Sequence, residues 1–246
     1  MTEPTAPAAK AALSDEPAVL LHRHEGWAEI VLNRPARRNA IDGALAEGLF
    51  AALQTVEADD SIRATVLRGA GGALCSGLDL TAFAAQPKPD WVPGFQARWR
   101  EVHVALASTR KVLLVGLERF AINGGAALAL AGDILVCGET GYLQIAEIRI
   151  GMAAPNNLAW LALRHSESVA ARLALLGDRV AGPQLQALGV ATEVVADDQV
   201  VARCTELAAL IATWKPEGVA AIKGTMRRMS LGMTAAQWFA SFQEKA

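Results

Sequence analysis

Residues 111–138 read KVLLVGLERFAINGGAALALAGDILVCG. An apolar run (111–117) is followed by a glycine-opened alanine and leucine segment (124–131) and a second apolar run (133–138). The outer runs have the length and β-branched content of strands, and the middle segment has the composition of a helix. Strands that alternate with helices argue for an α/β fold with parallel pairing.

The rest of the chain extends that pattern. AVLLHRHEGWAEIVLNRP (18–35) predicts two strands around a Glu25-Gly26 turn, ended by Asn33-Arg34-Pro35. Asp42 opens a helix with Leu45, Leu49, Phe50 and Leu53 on one face. RATVLRG (63–69) predicts the next strand. Residues 81–96 carry Pro87, Pro89, Pro93 and Gly94 and predict a mobile loop or lid, with a helix after it through FQARWREVHVALAST. From about Gly182 onward the pattern is mostly helical, with Asp197 or Asp198 expected to cap DDQVVARCTELAALIATW. Residues 1–17, rich in Ala and Pro, are expected to be a flexible leader. No internal repeat and no linker between folded domains is visible.

Composition narrows the function classes. A chain of 246 residues, 52% hydrophobic and 20% charged, has a sizeable core and is not disordered. A net charge of −2 gives no general attraction to nucleic acid. The apolar helical segments are interrupted before ~18 residues, so no membrane span is expected. Cys75, Cys137 and Cys204 are widely spaced, which fits reduced thiols in a cytoplasmic protein. No C-x-x-C or H-x-x-x-H pair is present, so no metal site is expected.

Two stretches carry candidate chemistry. ALCSGLDL (73–80) places Ser76 in C-S-G rather than G-x-S-x-G, so a nucleophile elbow is absent. Cys75 is flanked by apolar residues and reads as buried and inert. His22, His24, His103 and His165 have no local catalytic signature. AINGGAALALA (121–131) lacks the phosphate-loop patterns. Gly124 and Gly125 allow a helix to start close to a strand, and a helix start also offers free N–H groups. Such an N–H, with a second from the Ser76-Gly77 turn, would stabilise a developing oxyanion.

LNRPARRNAID, GGALCSGLDL, FAINGGAALALAGDILV, YLQIAEIRIGM and LLGDRVAGPQLQALGVATEVV occur in an order and spacing that resembles the crotonase family, the enoyl-CoA hydratase/isomerase superfamily. The resemblance implies a spiral of β-β-α turns over residues 18–200 and a helical C-terminal region over 201–246. It implies a homotrimer or homohexamer. It also implies that the backbone N–H groups of Ser76 and Gly124 hold the enolate of an acyl-CoA thioester, the substrate, with no separate cofactor. Of the two hydratase glutamates, one position is Ala127 and the other is kept as Glu147. Arg37 and Arg38, with Arg34, are implied near the coenzyme A phosphates. Ala40, Leu78, Asp79, Leu80, Gly125, Ala127 and Asn156 are implied at the substrate.

One acid fits double-bond isomerisation better than hydration. SGLDL (76–80) and IGMAAPNNLAWLAL (150–163) resemble the delta-3,delta-2-enoyl-CoA isomerase branch. Hydratase-, decarboxylase- or hydrolase-like chemistry, and a non-catalytic coenzyme A-binding subunit, stay open as alternatives. So do plainer roles: Asp79 as a brace, the arginines as a solvated turn, Asn156 and Asn157 as helix caps, and Phe83, Trp91 and Trp160 as core.

Overall fold

The computed structural model describes residues 16–243. The expected leader, residues 1–17, lies almost wholly outside the described residues. β1 (Val19–Arg23) and β2 (Trp27–Leu32) form an antiparallel hairpin around Gly26, which takes φ 77°. α1 (Gly43–Ala58) starts where expected, because the Asp42 carboxylate accepts the Leu45 N–H at 2.9 Å. Its buried stripe runs through Leu45, Leu49 and Leu53. β3 (Ala64–Gly69), α2 (Leu80–Phe83), α3 (Phe95–Ser108) and β4 (Val112–Leu117) follow.

The next stretch repeats one pattern. β5 (Phe120–Ile122) leads into α4 (Gly124–Leu130), and β6 (Ile134–Gly138) and β7 (Tyr142–Gln144) lead into α5 (Pro155–Arg164). α6 (Glu167–Ala174), β8 (Arg179–Ala181), α7 (Gly182–Ala187) and β9 (Glu193–Val195) complete the body. α8 (Val200–Ala212), α9 (Pro216–Leu231) and α10 (Ala235–Ser241) close the chain.

The strands form two layers. One sheet has the order β1-β2-β3-β4-β6-β9, and every pairing in it after the first hairpin is parallel. The smaller sheet has the order β5-β7-β8. Each turn of the spiral thus lays one strand in the large sheet, a short one in the small sheet, and then a helix. Isolated bridges at Cys75–Ala121 and Ile41–Leu78 extend the small layer with single residues. These short pieces are the part that periodicity misses, because three residues or fewer carry no alternation to read.

The helices seal both faces of the large sheet. α8 lays Val200, Cys204, Ala208 and Ile211 on Val66, Leu114 and Val136. The inner face packs α1, α3 and α4 into the main core. Trp160 is fully buried there, and its indole N–H donates to His103 Nδ1 at 2.9 Å. Among the described residues, no helix is long and apolar enough to cross a membrane.

One expectation needs correction. Neither Asp197 nor Asp198 caps α8, which starts at Gln199 without a side-chain cap. Asp197 instead accepts the backbone N–H of Thr140 at 2.9 Å, tying this segment to the end of β6. Between α2 and α3 the proline-rich stretch 84–94 is irregular, made of turns and bends, as a loop is expected to be, and aromatic contacts hold its ends to the body. Phe83 meets Trp91 and Phe95 edge-on, each with ring centroids 4.8 Å apart. Trp91 also lies against Gly43, where a Cβ would sit 2.3 Å from its ring. Aromatic packing, worth about 0.5–1.5 kcal/mol per pair beyond area, fastens the stretch there.

A cluster of charge locks the C-terminal helices to this body. Asp133 accepts from Lys223 at 2.7 Å, from Arg164 at 3.1 Å and from Arg227 at 3.3 Å. It also accepts the Leu113 N–H at 2.8 Å. Burial alone would push the Asp133 carboxyl up, but Lys223 and Arg164 outweigh it and bring it down to about 2. Asp133→Asn would leave these cations buried without a counter-charge. Urea unfolding should report a loss of about 3–5 kcal/mol. In wild type this contribution is complete above the ordinary carboxylate range and should be lost as pH falls toward about 2.

Candidate active site

After β3 the chain crosses to the small layer and runs antiparallel to nothing: it pairs through Leu74 N–H to Phe120 O at 3.1 Å and Ile122 N–H to Cys75 O at 3.0 Å. This brings the segment 75–78 alongside the start of α4. Two glycines make the approach possible. A Cβ on Gly125 would lie 2.4 Å from Cys75 O. A Cβ on Gly77, at φ 90°, would lie 3.0 Å from Ile122 O and 3.8 Å from Gly124 N. Backbone therefore meets backbone with no side chain between. Cys75 is fully buried, and burial pushes its thiol up to about 12, as an inert core residue requires.

The turn offers a different donor from the one expected. Ser76 N–H is already spent on Arg38 O at 3.1 Å. Gly77 O accepts from Ile41 N–H and Asp79 N–H donates to Ile41 O, both at 2.8 Å. In such a parallel bridge the intervening N–H, that of Leu78, points to the opposite side. Among the described hydrogen bonds it has no acceptor. Gly124, the first residue of α4, likewise has an N–H without an intrahelical partner. The free pair is Leu78 with Gly124, and Ser76 is displaced from the role that the sequence assigned to it.

Glu147 opens a 3-10 turn (Glu147–Ile150) after β7 and is partly buried. Asn157, on the first turn of α5 and 2% exposed, donates its amide to Glu147 Oε1 at 3.1 Å. The same nitrogen donates to Asn123 O at 3.2 Å. Asn123 immediately precedes Gly124, and its own side chain accepts the Ala146 N–H at 2.8 Å. The acid and the helix start are thus joined through two asparagines. Burial raises the Glu147 carboxyl above its ordinary range, against a smaller lowering by its own backbone N–H.

Asn123 is a site residue that the sequence reading does not single out, and Asn157 is one that it weighs beside Asn156 for the acyl pocket or as a helix cap without choosing it. Asn123 adopts φ 53°, a conformation that favours Gly or Asn, so the N-G-G run was a readable signal. Asn157 was one of an Asn-Asn pair, and only the helix phase chooses between them. Asn156 is the neighbour that makes no hydrogen bond to Glu147 among the described residues. Ala127 is buried in the core and gives α4 no polar group there. Gly125 serves the close packing on Cys75.

The remaining expected residues share one cleft of about 360 Å³, lined by Arg37, Arg38, Ala40, Ser76, Leu78, Asp79 and Leu80. Asp79 acts as the brace within it. Its carboxylate caps α2 through Ala82 N–H at 3.1 Å and pairs with Arg37 at 3.0 Å and Arg34 at 3.3 Å. Burial would raise Asp79, but the Ala82 N–H and Arg37 hold it below its ordinary range. Arg34 also pairs with Asp42 at 2.8 Å, so it is a structural link between α1 and the turn rather than a free cation. Leu80 is 72% exposed at the cleft rim.

The geometry has known relatives. The sequence profile described as enoyl-CoA hydratase/isomerase matches residues 22–243. The chain is 30% identical over 209 residues to the 1,2-epoxyphenylacetyl-CoA isomerase of Escherichia coli K12, covering 83% of this chain and 80% of that one. It is 29% identical over 220 residues to enoyl-CoA hydratase EchA19 of Mycobacterium tuberculosis, covering 88% and 83%. The crystal structure of an enoyl-CoA hydratase from Mycobacterium smegmatis superposes with a TM-score of 0.80 at 25% identity, over 92% of this chain and 89% of that one. A glycine-dependent meeting of turn and helix, a two-layer β-β-α spiral and a profile match along nearly the whole described chain agree: the protein belongs to the enoyl-CoA hydratase/isomerase family and has the crotonase fold.

Proposed function

We propose that the protein processes an acyl-CoA thioester by moving a double bond from the 3,4 to the 2,3 position through an enolate. The observation that carries this reading is the bridge from Asn157 to both Glu147 Oε1 and Asn123 O. It ties one carboxyl group to the backbone that presents the Gly124 N–H. The thioester oxygen would sit between the N–H groups of Leu78 and Gly124. Glu147, as carboxylate, removes the C2 proton, and the C–H electron pair flows into a dienolate held by those two donors. Glu147 then returns the proton to C4, and the double bond settles between C2 and C3. Nothing is consumed, and no cofactor is needed beyond the coenzyme A that the substrate carries. The cleft at Arg37, Arg38, Ala40 and Leu80 is the place for the coenzyme A moiety.

The absence of a carboxylate at Ala127 supports isomerisation over hydration, because α4 offers no second acid to orient an attacking water. Supplied with 3-enoyl-CoA, the protein should form 2-enoyl-CoA, and supplied with 2-enoyl-CoA it should form little 3-hydroxyacyl-CoA. Rapid formation of the hydroxy product would reassign it as a hydratase.

Glu147→Gln keeps the shape and removes the exchangeable proton. Isomerisation should fall about 10²–10⁴-fold, while acyl-CoA binding, measured by calorimetry, should persist. Near-normal turnover would transfer the acid–base role to another residue. Since the carboxylate form must remove the C2 proton, kcat/KM should rise with pH. The midpoint of that rise should lie above the ordinary carboxylate range, as the raised Glu147 carboxyl requires.

A further inference from the structure

Two polar atoms at the site have no partner: Glu147 Oε2 and Asn157 Oδ1. Both are sealed from solvent, and both belong to side chains already joined by one hydrogen bond, Asn157 Nδ2 to Glu147 Oε1 at 3.1 Å. The orientation of the amide is settled by its two acceptors, because Nδ2 also donates to Asn123 O. Its oxygen is therefore an acceptor with no donor among the described residues. A buried carboxylate oxygen and a buried amide oxygen, each unsatisfied, cost several kcal/mol together. With both oxygens sealed, a bridging water has no place against them. One proton on Glu147 would satisfy both at once, with Oε2–H donating to Oδ1 alongside the Nδ2–H bond to Oε1.

We propose that Asn157 is a positioning residue that closes a two-hydrogen-bond acid–amide pair with Glu147 and so holds Glu147 as the neutral acid in the resting protein. The proposal deepens the isomerase reading and rests on Glu147 being its acid–base group. The surroundings agree. The first turn of α4 holds no titratable side chain, and the first turn of α5 offers only Asn156 and Asn157. On the acid's own 3-10 turn, Arg149 acts on Asp178. On the facing turn, Asp79 is committed to Arg34 and Arg37. Among the described residues no cation pairs with Glu147 to favour its charged form, and burial is the dominant influence on it. The carboxylate that takes the C2 proton thus forms only as the pair opens or as pH rises.

The test uses the full chain and needs no turnover for its first part. Infrared difference spectra of wild type against Glu147→Gln at neutral pH should contain a protonated carboxyl band. That band should give way to carboxylate in Asn157→Ala, which removes the amide and admits water, and persist in Asn157→Asp, where two carboxyl groups share a proton. A carboxylate signal in wild type, or a band unaffected by Asn157→Ala, overturns the proposal. In the second part, the rising limb of kcat/KM should move down by about 1 pH unit or more in Asn157→Ala and up in Asn157→Asp. A role in packing alone would lower kcat in both variants without moving the limb in opposite directions, and that result also overturns it. If Asn157→Ala fails to fold by circular dichroism, the near-isosteric Asn157→Asp and the wild-type spectrum still decide. If the band behaves as expected while no acyl-CoA is isomerised, the acid–amide pair stands and the isomerase reading fails.

Discussion

The structure depends on a contact in which side chains are absent. α4 begins against Cys75 with 2.4 Å between a notional Gly125 Cβ and the Cys75 carbonyl oxygen. Gly77 occupies the reciprocal position, at φ 90° and close to Ile122 O and Gly124 N. Any larger residue at either place forces the layers apart. Because the backbone approaches this closely, the turn that carries the unpaired Leu78 N–H lies beside the start of α4, whose Gly124 N–H is likewise unpaired. The contact itself requires no charged residue.

Asn123 is the joint between the start of α4 and the segment that carries the acid. Its φ of 53° and ψ of −116° are unfavourable for a residue with a Cβ. Four hydrogen bonds hold it there. Its N–H donates to Gln144 O at 2.8 Å, and its Oδ1 accepts from Ala146 N–H at 2.8 Å. Its carbonyl accepts from Ala127 N–H and from the Asn157 amide, each at 3.2 Å. A glycine would relieve the backbone but lose the bond to Ala146, the residue next to Glu147. The strained conformation is retained where it couples the helix start to the acid.

Charge in and around the site is paired and used as a fastener. Arg34 bridges Asp42 and Asp79, so the start of α1 and the Leu78 turn move as one piece. Asp133 gathers Lys223, Arg164 and Arg227 and anchors α9 to the sheet and to α5. These networks neutralise their acids by pairing. Glu147, hydrogen-bonded to the Asn157 amide and without an ion pair among the described residues, is handled in the opposite way and is pushed toward its neutral form.

Much of this was legible in the chain alone. Long elements announced themselves through composition and period: the β1–β2 hairpin, α1 from its Asp42 cap, α3, and the strand–helix–strand run of β4, α4 and β6. The glycines of AINGGAALALAGD and CSGLDL pointed to a close backbone approach, and Glu147 and Ala127 stood out by their places in ordered motifs. Tertiary structure alone decided which atoms are free. Ser76 and Leu78 lie in the same short turn, and only the bridge to Arg38 O and the bridge to Ile41 determine that Leu78 keeps an unused N–H. Asn156 and Asn157 are adjacent in sequence, yet a step of about 100° around α5 sends only one of them to Glu147. Sequence records which groups a segment carries, while the partner that uses up a hydrogen bond comes from a segment far along the chain, so the inventory of free donors and acceptors exists only once the layers have met.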